Sequence, residues 1–583
     1  MTTFEVWAPR ARTVRIHTTA DDHDCTGGGD GWWRADLPSL AAGTDYTFLL
    51  GDDETPIPDP RSRWQPEGVH GPSRVYDQDA YEWSDQQWTG RPLAGGVVYE
   101  LHVGTFTDEG TFDAVLDKLD HLVELGVDFV ELLPVNAVNG THNWGYDGVG
   151  WYAVHDPYGG PDGLKRLVDG CHQRGLGVLL DVVYNHLGPS GNYLDRFGPY
   201  FTESRNPANP WGASLNLDGP DSDPVRRHII DNALMWLRDY HLDGLRLDAV
   251  HALVDHRALH LLEQLAVEVD GLSTHLERPL TLIAESDLND PKLITPREAG
   301  GYGLTAQWND DFHHALHTAL TGERQGYYAD FGSLATLATT LREAFFHAGT
   351  WSSFRRRLHG RPVDTQHTSG WRFLGYLQNH DQIGNRATGD RISATLSPGL
   401  VKVGAALVLT APFTPMLFQG EEWAASTPWQ FFTSHPEKEL GEIVARGRVE
   451  EFLGHGWAGA VPDPQDPQTF ADSKLPWNEL AEPDHADTLD FYQRLIGLRR
   501  DRPELTDPRL TDVRVRFDEE ARWLVLLRGR VAVVCNLAAE RQTVPIGSTP
   551  VEMLLASAPG FVYAGEEVEL DGESTAIVAL PNA

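Results

Sequence analysis

Between Gly95 and Trp423 the sequence alternates between short, almost wholly apolar runs and longer stretches with apolar residues at helical spacing. A run that is apolar on both faces suits a parallel strand covered on both sides, and parallel neighbours need a crossover, usually a helix. The runs are Val97–Val103, Val127–Pro134, Gly175–His186, Gly244–Asp248, Leu280–Asp287, Leu304–Asp310, Phe373–Asp381 and Thr414–Trp423. Helical spacing fills about 111–125, 162–174 and 231–240. Eight such units are what a closed (β/α)8 barrel of the TIM type requires, with its catalytic face at the carboxyl ends of the strands.

A chain of 583 residues is too long for one ordinary core. Residues 1–92 alternate in short runs such as Phe4–Pro9, Thr13–His17, Trp32–Leu37 and Tyr46–Leu50, separated by Gly and Asp turns. That spacing predicts an N-terminal β-sandwich, either a carbohydrate-binding-like module or a structural lid. Residues 93–505 are the expected catalytic barrel, closed by a helix over 489–500, and 506–583 a small C-terminal β-domain. Polar insertions at about 187–224 and 322–371 carry Tyr193, Phe197, Tyr200, Trp211 and Trp351, and as βα-loops they are expected at the barrel mouth.

A formal net charge of -38 repels phosphate backbones and anionic membranes, so neither nucleic acid nor a membrane surface is an expected partner. A neutral substrate fits better. The plentiful aromatic residues suit sugar rings, and they equally suit large cores. Cys25, Cys171 and Cys535 are scattered and show no disulfide or zinc spacing. The first ten residues lack a basic, then apolar, leader pattern, and the apolar stretch 400–418 is broken by Lys402, Pro412 and Pro415. A cytoplasmic protein is expected.

Three acids end predicted strands: Asp248 the fourth, Glu285 the fifth and Asp381 the seventh. All three should therefore share one rim. Arg246, two residues before Asp248, points to the same side of its strand, so it can keep Asp248 ionised and aim it. Asp248 reads either as a nucleophile or as half of a buried structural ion pair. Glu285 follows Leu282-Ile283-Ala284, and partial burial would hold a proton on it. One ionised and one protonated carboxyl side by side are the machinery of glycoside hydrolysis. His186 and His380, each after an asparagine, could bond sugar hydroxyls or, with the acids, hold a metal. No His pair at i, i+4 favours the metal, and no Gly-x-Ser-x-Gly elbow supports a serine nucleophile. No cofactor and no metal is expected.

Asp181-Val-Val-Tyr-Asn-His186, Gly244-Leu-Arg-Leu-Asp248, Ala284-Glu285-Ser-Asp287 and Gln378-Asn-His-Asp381 resemble, in order, the four signature regions of the α-amylase superfamily, glycoside hydrolase family 13. The likeness covers about 95–505, and Phe4-Glu-Val-Trp-Ala-Pro9 resembles the sandwich that precedes the barrel in branching and debranching members. The resemblance implies Asp248 as nucleophile, Glu285 as general acid/base and Asp381 as the residue gripping the 2- and 3-hydroxyls. It implies Arg246, His186 and His380 around the −1 sugar, with Tyr146 stacked on it. It also implies retention of configuration.

Phe418-Gln-Gly-Glu421-Glu422-Trp423 and the stretch to Glu437, with Leu187–Tyr193 and Arg196–Tyr200, are similar to the members that cut the α-1,4 bond beside a terminal trehalose. That likeness implies maltooligosyl trehalose, an α-1,4-glucan, as substrate, and functional pairing with an enzyme that makes the trehalose terminus. His251, Glu422 and Trp423 are the candidates to hold the trehalose unit. Many amylases carry Lys then His three and four residues after the nucleophile, where this chain has His251 and Ala252. Asn185 matches a calcium ligand of some amylases but also stands in calcium-free relatives. The competing readings are a glucan branching enzyme of the same fold and a catalytically dead glycan-binding protein.

Overall fold

The computed structural model describes residues 3–38, 40–202, 213–454 and 460–581; Trp211 lies outside them. Eight parallel strands close into a barrel in sequence order: β1 (Val98–Leu101), β2 (Phe129–Leu132), β3 (Gly177–Val182), β4 (Gly244–Leu247), β5 (Thr281–Ala284), β6 (Ala306–Trp308), β7 (Phe373–Tyr376) and β8 (Thr414–Phe418). Every residue of these strands is buried, because helices cover them outside and side chains fill them inside. Val98, Phe129, Leu179, Ile283, Ala306, Leu374 and Met416 share the interior cluster. Alternation then fixes which later residues face inward: Glu100, Glu131, Asp181 and Arg246 from the middle of the strands, and Asp248, Glu285 and Asp310 just beyond their ends.

Two expectations need adjustment. The single helix over 111–125 is two pieces, Phe112–Leu116 and Leu119–Leu125, interrupted at Asp117 and Lys118. Among the described residues of the 187–224 insertion, Tyr193, Phe197 and Tyr200 do not gather at the barrel mouth. Phe197 packs edge-on against Phe48 at 6.1 Å, and Tyr200 against Trp7 at 5.4 Å. The Tyr193 hydroxyl lies 2.6 Å from His70 Nδ1. Arg196 pairs with Asp53 at 2.6 Å. Residues 187–200 thus run from His186 at the rim outward to the N-terminal region. Burying two aromatic rings there releases more free energy than leaving them in a wet cleft.

The N-terminal strands form two antiparallel sheets around Phe4, Val6, Val14, Ile16 and Phe48. Beyond the helix Pro483–Asp501, a five-stranded antiparallel sheet (Arg514–Asp518, Trp523–Arg528, Val531–Asn536, Ser574–Ala579, Glu552–Ala556) packs on a three-stranded one through Val525, Val534, Val544, Val568 and Val578. Among the described residues no helix is long and apolar enough to cross a membrane.

The docked insertion yields an expected result. Phe197 is almost fully buried. Phe197→Ala should cost about 3–5 kcal/mol locally. Its checks are a lower thermal midpoint and faster proteolytic cleavage within 187–224. Unchanged values for both would show that this contact does not hold the insertion.

Candidate active site

The carboxyl ends of the strands open into a cavity of about 650 Å³. Leu247 of β4 is registered against Ala284 of β5, so Asp248 and Glu285 follow at equivalent points of adjacent parallel strands. Strands lie about 4.8 Å apart. Both acids line the cavity, and so does Asp381, which sits in the first turn of the short helix His380–Gly384 after β7.

Arg246 organises all three. It is fully buried inside the barrel, with its guanidinium 4.1 Å over the Trp308 ring. Its Nη1 donates to Asp248 Oδ1 at 2.8 Å and to Asp181 Oδ2 at 2.8 Å. Its Nη2 hydrogen-bonds to nothing, and lies 3.8 Å from Glu285 Oε2 and 4.0 Å from Asp381 Oδ2. Burial opposes the guanidinium charge, but the surrounding acids hold it firmly protonated. Asn185 Nδ2 donates to the other Asp248 oxygen at 2.7 Å, so the carboxylate is fixed at both ends. An amide used as a donor in this way is aimed at the acid.

Ala249, next after Asp248, has φ +40°, a left-handed conformation that costs a non-glycine residue about 1 kcal/mol or more. That turn aims its N–H at Glu285 Oε2, 2.5 Å away. Glu285 keeps its proton far above the usual carboxyl range. Burial is the main cause; Arg246 opposes it, and the charges of Asp248, Asp381 and Asp310 add to it.

His380 Nδ1 lies 2.5 Å from Glu100 Oε1, and its Nε2 lies 2.7 Å from the Tyr146 hydroxyl and 3.5 Å from Asp381. Burial disfavours the imidazolium, but Glu100 and Asp381 outweigh it and lift His380 to about 9. The Tyr146 ring lies nearly parallel to His380, and its hydroxyl donates to Asp181 at 2.5 Å. His186 lines the cavity with Nδ1 2.5 Å from Asn185 Oδ1; burial lowers its proton affinity, so it is a neutral ring. His251, on the 3-10 turn after Ala249, also lines the cavity.

Glu422 and Trp423 do not reach the cavity. Gly420 adopts φ +79° at the end of β8 and turns them into the layer between strands and helices. Glu422 is fully buried, accepting from the Tyr99 hydroxyl at 3.0 Å with His121 Nε2 at 2.8 Å. Trp423 packs against His121 and Trp477. These two are corrected from substrate contacts to supports of the barrel wall.

Sequence reasoning passed over several cavity residues. Asp287, two residues past Glu285, pairs with Arg355 at 2.9 Å. Arg355 and Phe354 sit in the turn of the hairpin Thr350–Ser352/Arg357–His359, so the 322–371 insertion does come to the mouth; its Trp351 is 58% exposed. Asp310 lines the cavity beyond β6. Its signal was available in the inward parity of Ala306 and Trp308. Among the described residues no group of three or more His, Cys, Asp or Glu is arranged to hold a metal.

Comparison with known proteins agrees with this geometry. Residues 72–211 match the model of the alpha amylase catalytic domain, and 508–577 match a domain of unknown function. The chain is 55% identical over 582 residues to malto-oligosyltrehalose trehalohydrolase of Rhizobium sp. (strain M-11), covering 99% of this chain and 97% of that protein. The Mycobacterium tuberculosis protein of the same name is 56% identical over 560 residues, 95% of each chain. The chain belongs to the malto-oligosyltrehalose trehalohydrolase family. As a trehalohydrolase-family member with this barrel and this catalytic domain, it is a glycoside hydrolase. A solved structure described as an alpha amylase from Salmonella typhimurium superposes with TM-score 0.90 at 38% identity, covering 99% of this trehalohydrolase-family chain and 97% of that one. A pullulanase from Anoxybacillus sp. LM18-11 gives 0.72 at 18% identity, covering 99% and 86%, a likeness of fold.

Proposed function

We propose that the protein hydrolyses the α-1,4 bond beside the terminal trehalose of a maltooligosyl trehalose, releasing trehalose and a maltooligosaccharide with retained configuration. The observation that carries this reading is the near full-length identity of 55–56% to proteins of that name, on a chain that brings Asp248, Glu285 and Asp381 to one cavity around Arg246. Glu285, protonated, gives its proton to the glycosidic oxygen, and that C–O bond breaks. Asp248 Oδ attacks C1 from the opposite face and forms a glycosyl ester. Trehalose departs. Glu285, now a carboxylate, takes a proton from water, whose oxygen attacks C1 and frees Asp248.

Arg246 and Asn185 each donate to one oxygen of Asp248 and so aim it. Asp381 accepts hydroxyls of the −1 sugar, His380 and His186 bond its other hydroxyls, and Tyr146 offers a ring face beneath it. His251 borders the trehalose side of the cavity. The proposed substrate places the protein after an enzyme that builds the trehalose terminus, and three domains at 1–92, 93–505 and 506–583 are proposed to carry it.

Incubation with maltooligosyl trehalose tests the reading. The expected result is free trehalose and a maltooligosaccharide born as the α-anomer. Branched glucan without trehalose would assign the protein to glucan branching instead, and an initial β-anomer would remove the double displacement.

A further inference from the structure

We propose that Asp310 is a positioning residue for the acid step: its carboxylate, held at the inward end of β6 by Tyr376 and Gln382, keeps the proton on Glu285 until a leaving group takes it. The inference rests on the reading of Glu285 as general acid.

The placement comes from the strand. Ala306, Trp308 and Asp310 share one parity, so Asp310 faces the cavity between Glu285, which follows β5, and Asp381, which follows β7. Asp310 Oδ1 accepts the Tyr376 hydroxyl at 2.5 Å and Gln382 Nε2 at 3.3 Å. Tyr376, the last residue of β7, is fully buried, so the first of these donors cannot swing away. Asn309, just before it, caps the helix Asp310–Thr321 by accepting the Phe312 N–H, which fixes the backbone at this point and sets Asp310 in the favourable first turn for an anion. Both of these hydrogen-bond donors, Tyr376 and Gln382, are uncharged.

The charges around both groups are mostly negative; the cations are Arg246 and, on the same cavity wall, Arg448 and Arg355, the last paired with Asp287 at 2.9 Å. Glu285 is faced by Arg246 and Asp248 from β4, by Asp381 from the helix after β7 and by Asp310 from β6. Asp310 is faced by Tyr376 from β7, by Asp381 and Gln382 after it, by Asp287 after β5, and on its own helix by Asp311, with the neutral His314 a turn further on. Arg246 Nη1 is already committed to Asp181 and Asp248. A carboxylate at Asp310 therefore raises the cost of a second charge at Glu285, acting against Arg246, whose Nη2 lies 3.8 Å from Glu285 Oε2. Burial lifts Asp310 itself to about 6, against the opposing Tyr376 bond, so it carries its charge in the neutral and alkaline range where Glu285 must stay protonated.

The test is the pH profile of kcat/KM for trehalose release by the full chain, parent against Asp310→Asn. The alkaline limb of that profile reports loss of the acid's proton in the free enzyme. Removing a neighbouring negative charge eases that loss, so the limb should move about 0.5–1 unit toward lower pH, whatever happens to the plateau. Tyr376→Phe withdraws the donor that favours the Asp310 anion and should move the limb in the same direction by less. With a maltooligosyl fluoride, whose leaving group needs no proton, the difference between parent and variants should vanish in the first step. A limb that stays in place in both variants overturns the inference, even if they are slower or less stable. Where Asp310→Asn does not fold, Tyr376→Phe decides. A parent enzyme that releases no trehalose overturns the proposed activity instead, which keeps the two failures apart.

Discussion

Asp248→Asn should lower turnover by about 10⁴-fold or more, the order of loss seen when an enzyme's covalent nucleophile is removed. An amide has nearly the shape of the carboxylate but no charge with which to attack C1. The fold should survive. Asn at this position can still accept from Arg246 Nη1, and Arg246 keeps its second partner, Asp181, at 2.8 Å. One negative charge also leaves a rim shared by Glu285, Asp381 and Asp310. The measurement is steady-state hydrolysis together with the thermal midpoint. A variant that folds normally and retains a tenth of parental activity would remove Asp248 from the nucleophile's role. A parent enzyme trapped with a slow-leaving activated fluorosugar should carry one added glycosyl mass on the peptide containing Asp248, and the variant none.

Glu285→Gln should produce a loss that depends on the leaving group. With a natural sugar leaving group the bond cannot break without a proton, and a fall of about 10²–10⁴-fold is expected. With an aryl or fluoride leaving group the first step should be nearly spared, and the glycosyl-enzyme should then accumulate, because no base remains to activate water. Azide, which needs no base, should restore the second step and yield an α-glycosyl azide. An equal loss on all substrates, with no rescue, would deny Glu285 the acid/base role. Stability gives an independent sign. Glu285 binds its proton more tightly in the folded chain than in the unfolded one, so the native state holds the extra proton and its stability falls as pH rises through the unfolded carboxyl range. Glutamine has no proton to defend. The variant should therefore gain thermal stability over the parent near pH 7 and show no such gain near pH 4.

The barrel was legible because strands buried on both faces read as unbroken apolar runs, and because each candidate acid follows such a run. Leu245 and Leu247 mark β4 as clearly as Arg246 and Asp248 mark its inner face. What was not legible depends on the backbone turn after a strand. Glu422 and Trp423 follow β8 as Glu285 follows β5, yet the left-handed Gly420 sends them outward, and nothing in the side chains announces it. Phe197 and Tyr200 have the composition of a sugar platform and serve as the faces of a joint with Phe48 and Trp7. Asp310 closes the run read as the sixth strand yet was not singled out beside Asp248, Glu285 and Asp381; in the structure it opens the helix Asp310–Thr321.

That joint bears on how the protein can be engineered. A barrel transplanted beneath a foreign sandwich would meet the new module with two large rings and Arg196 uncovered, and Gly198 has room for no Cβ beside the Trp7 ring, 2.9 Å away. Residues 3–57 and 193–200 form one fitting, to be exchanged together in any chimera or left as they are.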